Sequence, residues 1–172
     1  NLMAGASPLW SLQGGGLSLR WPSGLDSVSG GEVGTPWYPV PQGGAVRVEA
    51  EAHGGFARLS EPNSYFFAPA SFYLALRFDT GAAEVWWSEG GPLVVARDVA
   101  VPSGATRYRV CVGCDGDSAI TSVWVRHLAC GPAGLPGFGL LEPPAWGYAD
   151  SFDGPAASGS GPYPGWTEVS GY

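Results

Sequence analysis

The most specific chemical pattern in this chain is Cys111-x2-Cys114-x12-His127-x2-Cys130, whose residue types and local spacing match a Cys3His zinc site. Zinc needs all four donors within about 2.0–2.3 Å of one ion. The strings "RYRVCV" and "TSVWVRHL" flank the turn-like "CDGDSA" and read as a hairpin that sets Cys114 near Ile120 and Cys111 near Val123. His127 then stands opposite Arg107, about 13 Å from Cys111 at the rise of a strand. Spacing favours zinc and hairpin geometry opposes it. A single disulfide or three free buried thiols rank ahead of zinc, and with three cysteines at least one has no disulfide partner within the chain. Asp115 and Asp117 offer two oxygen donors for Ca²⁺, which takes six or more, and Asp-Gly-Asp is equally an ordinary turn. No metal or other cofactor is expected.

The second chemical signal is aromatic. In "EVWWSEGG" two tryptophans are adjacent in a strand, so they point to opposite faces of a sheet. With Val85 and Trp87 assigned to the apolar side, Glu84, Trp86 and Ser88 face outward, and Trp86 falls near Arg77 and Tyr73 of a neighbouring strand. An aromatic plate beside an arginine and a carboxylate suits a saccharide: the ring stacks on the C–H face of a pyranose and the charged groups bind its hydroxyls. The candidate binding residues are therefore Trp86, Arg77 and Glu84. Trp37 and Tyr38, held between prolines in "TPWYPVP", and Tyr65 in "EPNSYFFAP" are added as further platforms. The competing reading buries these rings in the core, under a loop or at a subunit contact.

Catalysis has little to work with. His53 and His127 have no nucleophile placed with them, and neither a G-x-S-x-G elbow nor an H-E-x-x-H helix occurs. Glu49 and Glu51 share one strand face, where alternating charges are normally solvated, whereas a glycosidase needs two carboxylates facing across a cleft. The chain is read as a non-enzyme.

Such side chains must be carried by short strands. Gly (28) and Pro (16) exceed a quarter of the 172 residues, and no window sustains an apolar period of 3.6. From "AVRVEAEA" onward the alternation is clean, with Val46, Val48 and Ala50 on one face and Arg47, Glu49 and Glu51 on the other. "FYLALRF", "AEVWWS", "LVVARDV", "RYRVCV" and "TSVWVRHL" follow, separated by turn sequences. Spacings of about ten residues predict an all-β antiparallel sandwich or barrel. Residues 131–172 hold ten Gly, seven Pro and no basic residue, so residues 133–172 read as an extended linker or tail. Its seven aromatics are too many for a solvated linker, which predicts that it lies along a surface of its own domain or a neighbour's.

The net charge of −7, with eight scattered arginines and no lysine, argues against a nucleic-acid partner. No apolar run approaches the roughly 20 residues of a membrane span, and Asn1-Leu2-Met3-Ala4 does not open a signal peptide.

The order of the pieces resembles galactose-binding-like jelly-roll modules, in particular carbohydrate-binding modules of the family 4/9 type, which also occur in virion tail and fibre proteins. The resemblance rests on the opening "NLMAGAS" followed by a tryptophan, on "PQGGAVRVEAEAHGGFARLS", on "SFYLALRF", on "VPSGATRYRVCV" and on the closing "TSVWVRHLAC". It covers residues 1–132 and carries no catalytic signature. Where the family's closing strand often has an Asp, this chain has Arg126 and His127. The segment "ADSFDGPAASGSGPYPGWTEVSGY" is similar to the opening of a further sandwich module. The resemblance implies a non-catalytic adhesion module of a virion or extracellular surface protein, with a polysaccharide or cell-surface glycan as partner. The alternative is a structural subunit of a decoration, fibre or filament, a homo-oligomer in which the tail and exposed aromatics contact neighbouring copies.

Overall fold

The computed structural model of the chain describes residues 8–22, 31–55, 72–88, 91–114, 120–133 and 147–169. Its strands are β1 (Leu9–Leu12), β2 (Leu17–Pro22), β3 (Gly31–Gly34), β4 (Tyr38–Pro39), β5 (Ala45–Gly55), β6 (Phe72–Phe78) and β7 (Ala83–Ser88). They continue with β8 (Pro92–Ala100), β9 (Arg107–Cys114), β10 (Ile120–Pro132), β11 (Tyr148–Asp150), β12 (Ala157–Ser160) and β13 (Thr167–Glu168). No helix occurs among the described residues. The first sheet has the order β12-β1-β2-β10-β5-β8 with β11 beside β10, and the second has β13-β3-β9-β6-β7 with β4 beside β9. All pairings are antiparallel. From β5 onward the chain alternates between sheets: β5 in the first, β6 and β7 in the second, then β8, β9 and β10 in first, second and first. This is the jelly-roll winding of a β-sandwich: alternation and spacing predict a sandwich or barrel, and the jelly roll is what the resemblance implies.

Every second residue of the central strands enters the core. Val46, Val48, Ala50 and Ala52 of β5 face Phe72, Leu74, Leu76 and Phe78 of β6, with Leu17, Leu19 and Trp21 of β2 and Val110 and Val112 of β9. In β10 the inward set changes parity, from Val123 and Val125 to Leu128 and Cys130. A bulge causes the change: Val125 lies opposite Ala52, His127 lies opposite Glu51, and Arg126 is the extra residue between them. Without that residue Leu128 and Cys130 would turn to solvent.

β9 and β10 do not form a hairpin. β9 pairs with β3, β4 and β6 in the second sheet, and β10 with β2, β5 and β11 in the first. Two apolar alternating strings in sequence can pair or can stack face to face, and here they stack.

The sandwich also extends beyond residue 132. Residues 147–169, expected to belong to a linker, arm or further module, supply β11 and β12 to the first sheet and β13 to the second. Phe152 and Trp166 are buried in the main core. Asp150 organises the segment: its Oδ1 accepts the Phe152 amide (2.8 Å), and its Oδ2 accepts the Tyr148 and Tyr163 hydroxyls (3.3 and 3.4 Å). Trp166 Nε1 donates to the Tyr148 hydroxyl at 2.9 Å. Tyr163 meets Trp10, Phe152 and Trp166 edge-on, with centroids 5.3, 5.7 and 6.0 Å away. Gly and Pro set how the segment turns, and its rings decide where it lies.

Candidate functional site

The position of each candidate platform follows from strand register. β6 and β7 pair with Phe72 opposite Ser88 and Arg77 opposite Ala83. Trp86 is therefore opposite Leu74, half-buried and packed against the main core. Trp87 is opposite Tyr73 on the outer face and 56% exposed, its ring 4.7 Å from that of Tyr73. The outward tryptophan is Trp87, not Trp86. Glu84 lies opposite Leu76, exposed, on the other side of the sheet from Arg77. The turn sets this register, since Phe78 N donates to Ala82 O at 2.9 Å and the pairing propagates from there. A shift of one residue exchanges every side chain between faces.

The Tyr73 ring rests on a rigid polar base. Its hydroxyl donates to Glu32 Oε1 at 2.6 Å, and Arg77 donates through Nε and a terminal nitrogen to the two Glu32 oxygens, each at 2.6 Å. Glu32 is only 2% exposed, so its charge is held by a two-point guanidinium contact and a phenol. To reach β3 from β6, Tyr73 crosses β9 at Gly113, where a Cβ would lie 2.3 Å from its ring. A glycine is required there for contact, not for conformation. Ala75 and Cys111 complete a small buried cluster on this face, against which Val169 packs.

Trp37 is half-buried on the same face, with the Arg109 guanidinium 4.4 Å and that of Arg107 5.4 Å from its ring centre. Arg77 is opposite Arg109 in the β6–β9 register, so the Trp87 and Trp37 regions are joined through these arginines. Tyr38 does not join them. Its ring turns to Tyr108 and Tyr148, 6.1 and 6.5 Å away, and burial raises its hydroxyl above the ordinary tyrosine value. It serves packing instead of standing as a platform. Tyr65 lies outside the described residues. Of the expected set, Arg77 and Trp37 stand on one face, while Trp86, Glu84 and Tyr38 do not. Trp87, Tyr73 and Glu32 were missing from it.

The outer face of the first sheet carries a second group, absent from the expected set. Trp124 lies opposite Ser18 on one side and His53 on the other, with the His53 ring 5.6 Å and the Arg126 guanidinium 5.9 Å away. Glu51 contacts His53 Nε2 (3.2 Å) and Arg126 (3.8 Å). Glu49, expected to be solvated, is buried against Arg47 at 2.8 Å, and Arg47 also reaches Asp98 at 3.0 Å. Burial lowers the pKa of His127, with nearby Glu51 opposing the shift. The available signal was "TSVWVRHL" itself: one tryptophan on the polar side of a strand, followed by a change of parity.

The zinc pattern does not converge. Cys111 faces outward from the second sheet, Cys114 and Cys130 face the core, and His127 lies opposite Glu51 on the outer side of the first sheet. No group of three or more potential metal donors occurs among the described residues, and Asp115 and Asp117 lie outside them. Each cysteine is a buried thiol. Burial pushes the Cys130 thiol up from 9.0 to about 12 and raises Cys111 as well, with nearby Glu32 adding to the latter. A raised acid stabilises the fold fully below its unfolded pKa and ceases to as pH climbs through the folded value, so alkali from about pH 9 to 12 should progressively destabilise the domain. The thiols should resist a disulfide-exchange reagent in native buffer and react once guanidinium unfolds the chain. Rapid labelling of folded protein would contradict this packing.

No protein-family model matches the chain, and a search of curated proteins gives no match.

Proposed function

We propose that this chain is a non-catalytic carbohydrate-binding module whose principal contact is Trp87. The observation that carries the proposal is a tryptophan 56% exposed and backed by a tyrosine that is itself hydrogen-bonded to a buried carboxylate. A ring so exposed gains little from core burial, and a mounted ring loses little side-chain entropy when a flat apolar ligand stacks on it. The C–H face of a pyranose is such a ligand. Trp37, stacked on two arginines, offers a second plate on the same face, with guanidinium donors nearby for hydroxyls. The strand-and-turn resemblance to family 4/9 carbohydrate-binding modules points the same way and suggests a virion or extracellular surface setting.

A subunit-assembly role is the second reading. Its support is exposed apolar surface: Val94 is 71% exposed on edge strand β8, and Val85 neighbours Trp87 on edge strand β7. It draws no support from an extended arm at 147–169, because that segment pairs within its own chain.

The two readings separate by affinity electrophoresis of the protein in gels containing xylan, galactomannan or hydroxyethyl cellulose, run beside size-exclusion chromatography. Retardation in at least one gel is expected, with affinity reduced tenfold or more by Trp87→Ala, the equivalent of about 1.4 kcal/mol. Free migration in every gel, together with elution as a discrete oligomer, would favour assembly.

A further inference from the structure

We infer that the module is bivalent, with a second saccharide site on the outer face of the first sheet centred on Trp124. This rests on the carbohydrate reading above, but on different residues. Trp124 stands in the middle strand of that face, opposite Ser18 of β2 and His53 of β5. Its indole lies against the Gly16 backbone so closely that a Cβ at Gly16 would sit 2.2 Å from Nε1. The ring is thus seated by β2 and by the turn before it. The bulge in β10 brings Arg126 alongside: the extra residue places its guanidinium 5.9 Å from the Trp124 ring and 3.8 Å from Glu51. Glu51 in turn holds His53 at 3.2 Å. One half-buried aromatic plate is therefore flanked by an arginine, a carboxylate and an imidazole. Bulges serve to aim side chains, and this one gathers donors and an acceptor around a ring suited to a pyranose.

The two sheets stack about 10 Å apart, and their outer faces point in opposite directions. A saccharide chain lying on Trp87 does not reach Trp124. A single protein molecule therefore joins two glycan chains, which gives bridging and avidity without oligomerisation. Bridging adds a function to binding: the module would gel or aggregate a soluble polysaccharide.

The test is calorimetric titration of the protein, with stoichiometry counted per chain, with xylo-, manno-, cello- and chito-hexaose, together with turbidity of mixtures with the matching polysaccharide. The wild type should bind about two oligosaccharides and cloud the polymer. Trp87→Ala and Trp124→Ala should each bind about one and leave it clear, and the double variant should bind none. Gly16→Ala and His53→Ala, which leave the indole in the chain, should weaken only the site that Trp124→Ala removes. If Trp87→Ala alone abolishes all binding while Trp124→Ala titrates like wild type, the second site is refuted and the carbohydrate reading stands. If Trp124→Ala alone abolishes binding, bivalency fails along with the Trp87 assignment. No binding by the wild type overturns both proposals.

Discussion

Replacing Trp166 by alanine is expected to lower folding stability by about 3–5 kcal/mol, the range for removing a buried tryptophan side chain. Three effects add. The ring is almost completely buried, in edge-to-face contact with Phe152, Tyr148 and Tyr163 at 6.3, 6.1 and 6.0 Å. Its Nε1 donates to the Tyr148 hydroxyl, and that hydroxyl is left with Asp150 alone when the indole is gone. Trp166 also lies directly before β13, which pairs with β3, so its loss loosens an edge of the second sheet. Guanidinium unfolding should show a lower midpoint with an unchanged slope. A loss below about 1 kcal/mol would mean that residues 147–169 are dispensable to the fold, against their place in both sheets.

The second large effect is expected at Glu32. Glu32→Ala removes the acceptor shared by Tyr73 and Arg77, leaving a buried hydroxyl and a partly buried guanidinium without it. Removing one partner of a buried ion pair costs about 3–5 kcal/mol, and the lower end applies because the Arg77 side chain is 26% exposed and keeps some access to water. Glu32→Gln should recover part of the loss, since its amide oxygen still accepts one of the three hydrogen bonds. Binding provides a separate readout. If Tyr73 mounts Trp87, the alanine variant should bind saccharide more weakly even under conditions where it remains folded. Unaltered affinity alongside lowered stability would confine Glu32 to a structural role.

The strands themselves were legible in the sequence because period-2 alternation is strong where one face is buried. Val46, Val48 and Ala50 against Arg47, Glu49 and Glu51 left no doubt about direction, and the core follows it. "EVWWSEGG" was different. Glu84 and Ser88 share their parity with Trp86, so alternation sends Trp86 outward, whereas on this edge strand the register set by the turn after Phe78 turns Trp87 out instead. The bulge at Arg126 leaves a trace in the shift of apolar positions from Val123 and Val125 to Leu128 and Cys130, and that shift reads as an extra residue only once the pairing with β5 is known. The joining of β9 and β10 as a hairpin failed on topology: neighbours in sequence that cross between sheets carry the same apolar pattern as neighbours that pair. In the C-terminal segment, Gly and Pro content pointed to a linker, while the contacts that fix it are between rings distant in sequence, Trp10 with Tyr163 for one.

The most direct test of the central claim compares Trp87→Ala with Trp86→Ala, which differ by one position in the same strand. Each variant would be titrated with the oligosaccharide bound best by the wild type, alongside its unfolding curve. Trp86→Ala should be the less stable protein and still bind at the outer face of the second sheet. Trp87→Ala should fold about as well as wild type and lose binding there. The reverse pattern, with binding dependent on Trp86 and indifferent to Trp87, would contradict the account.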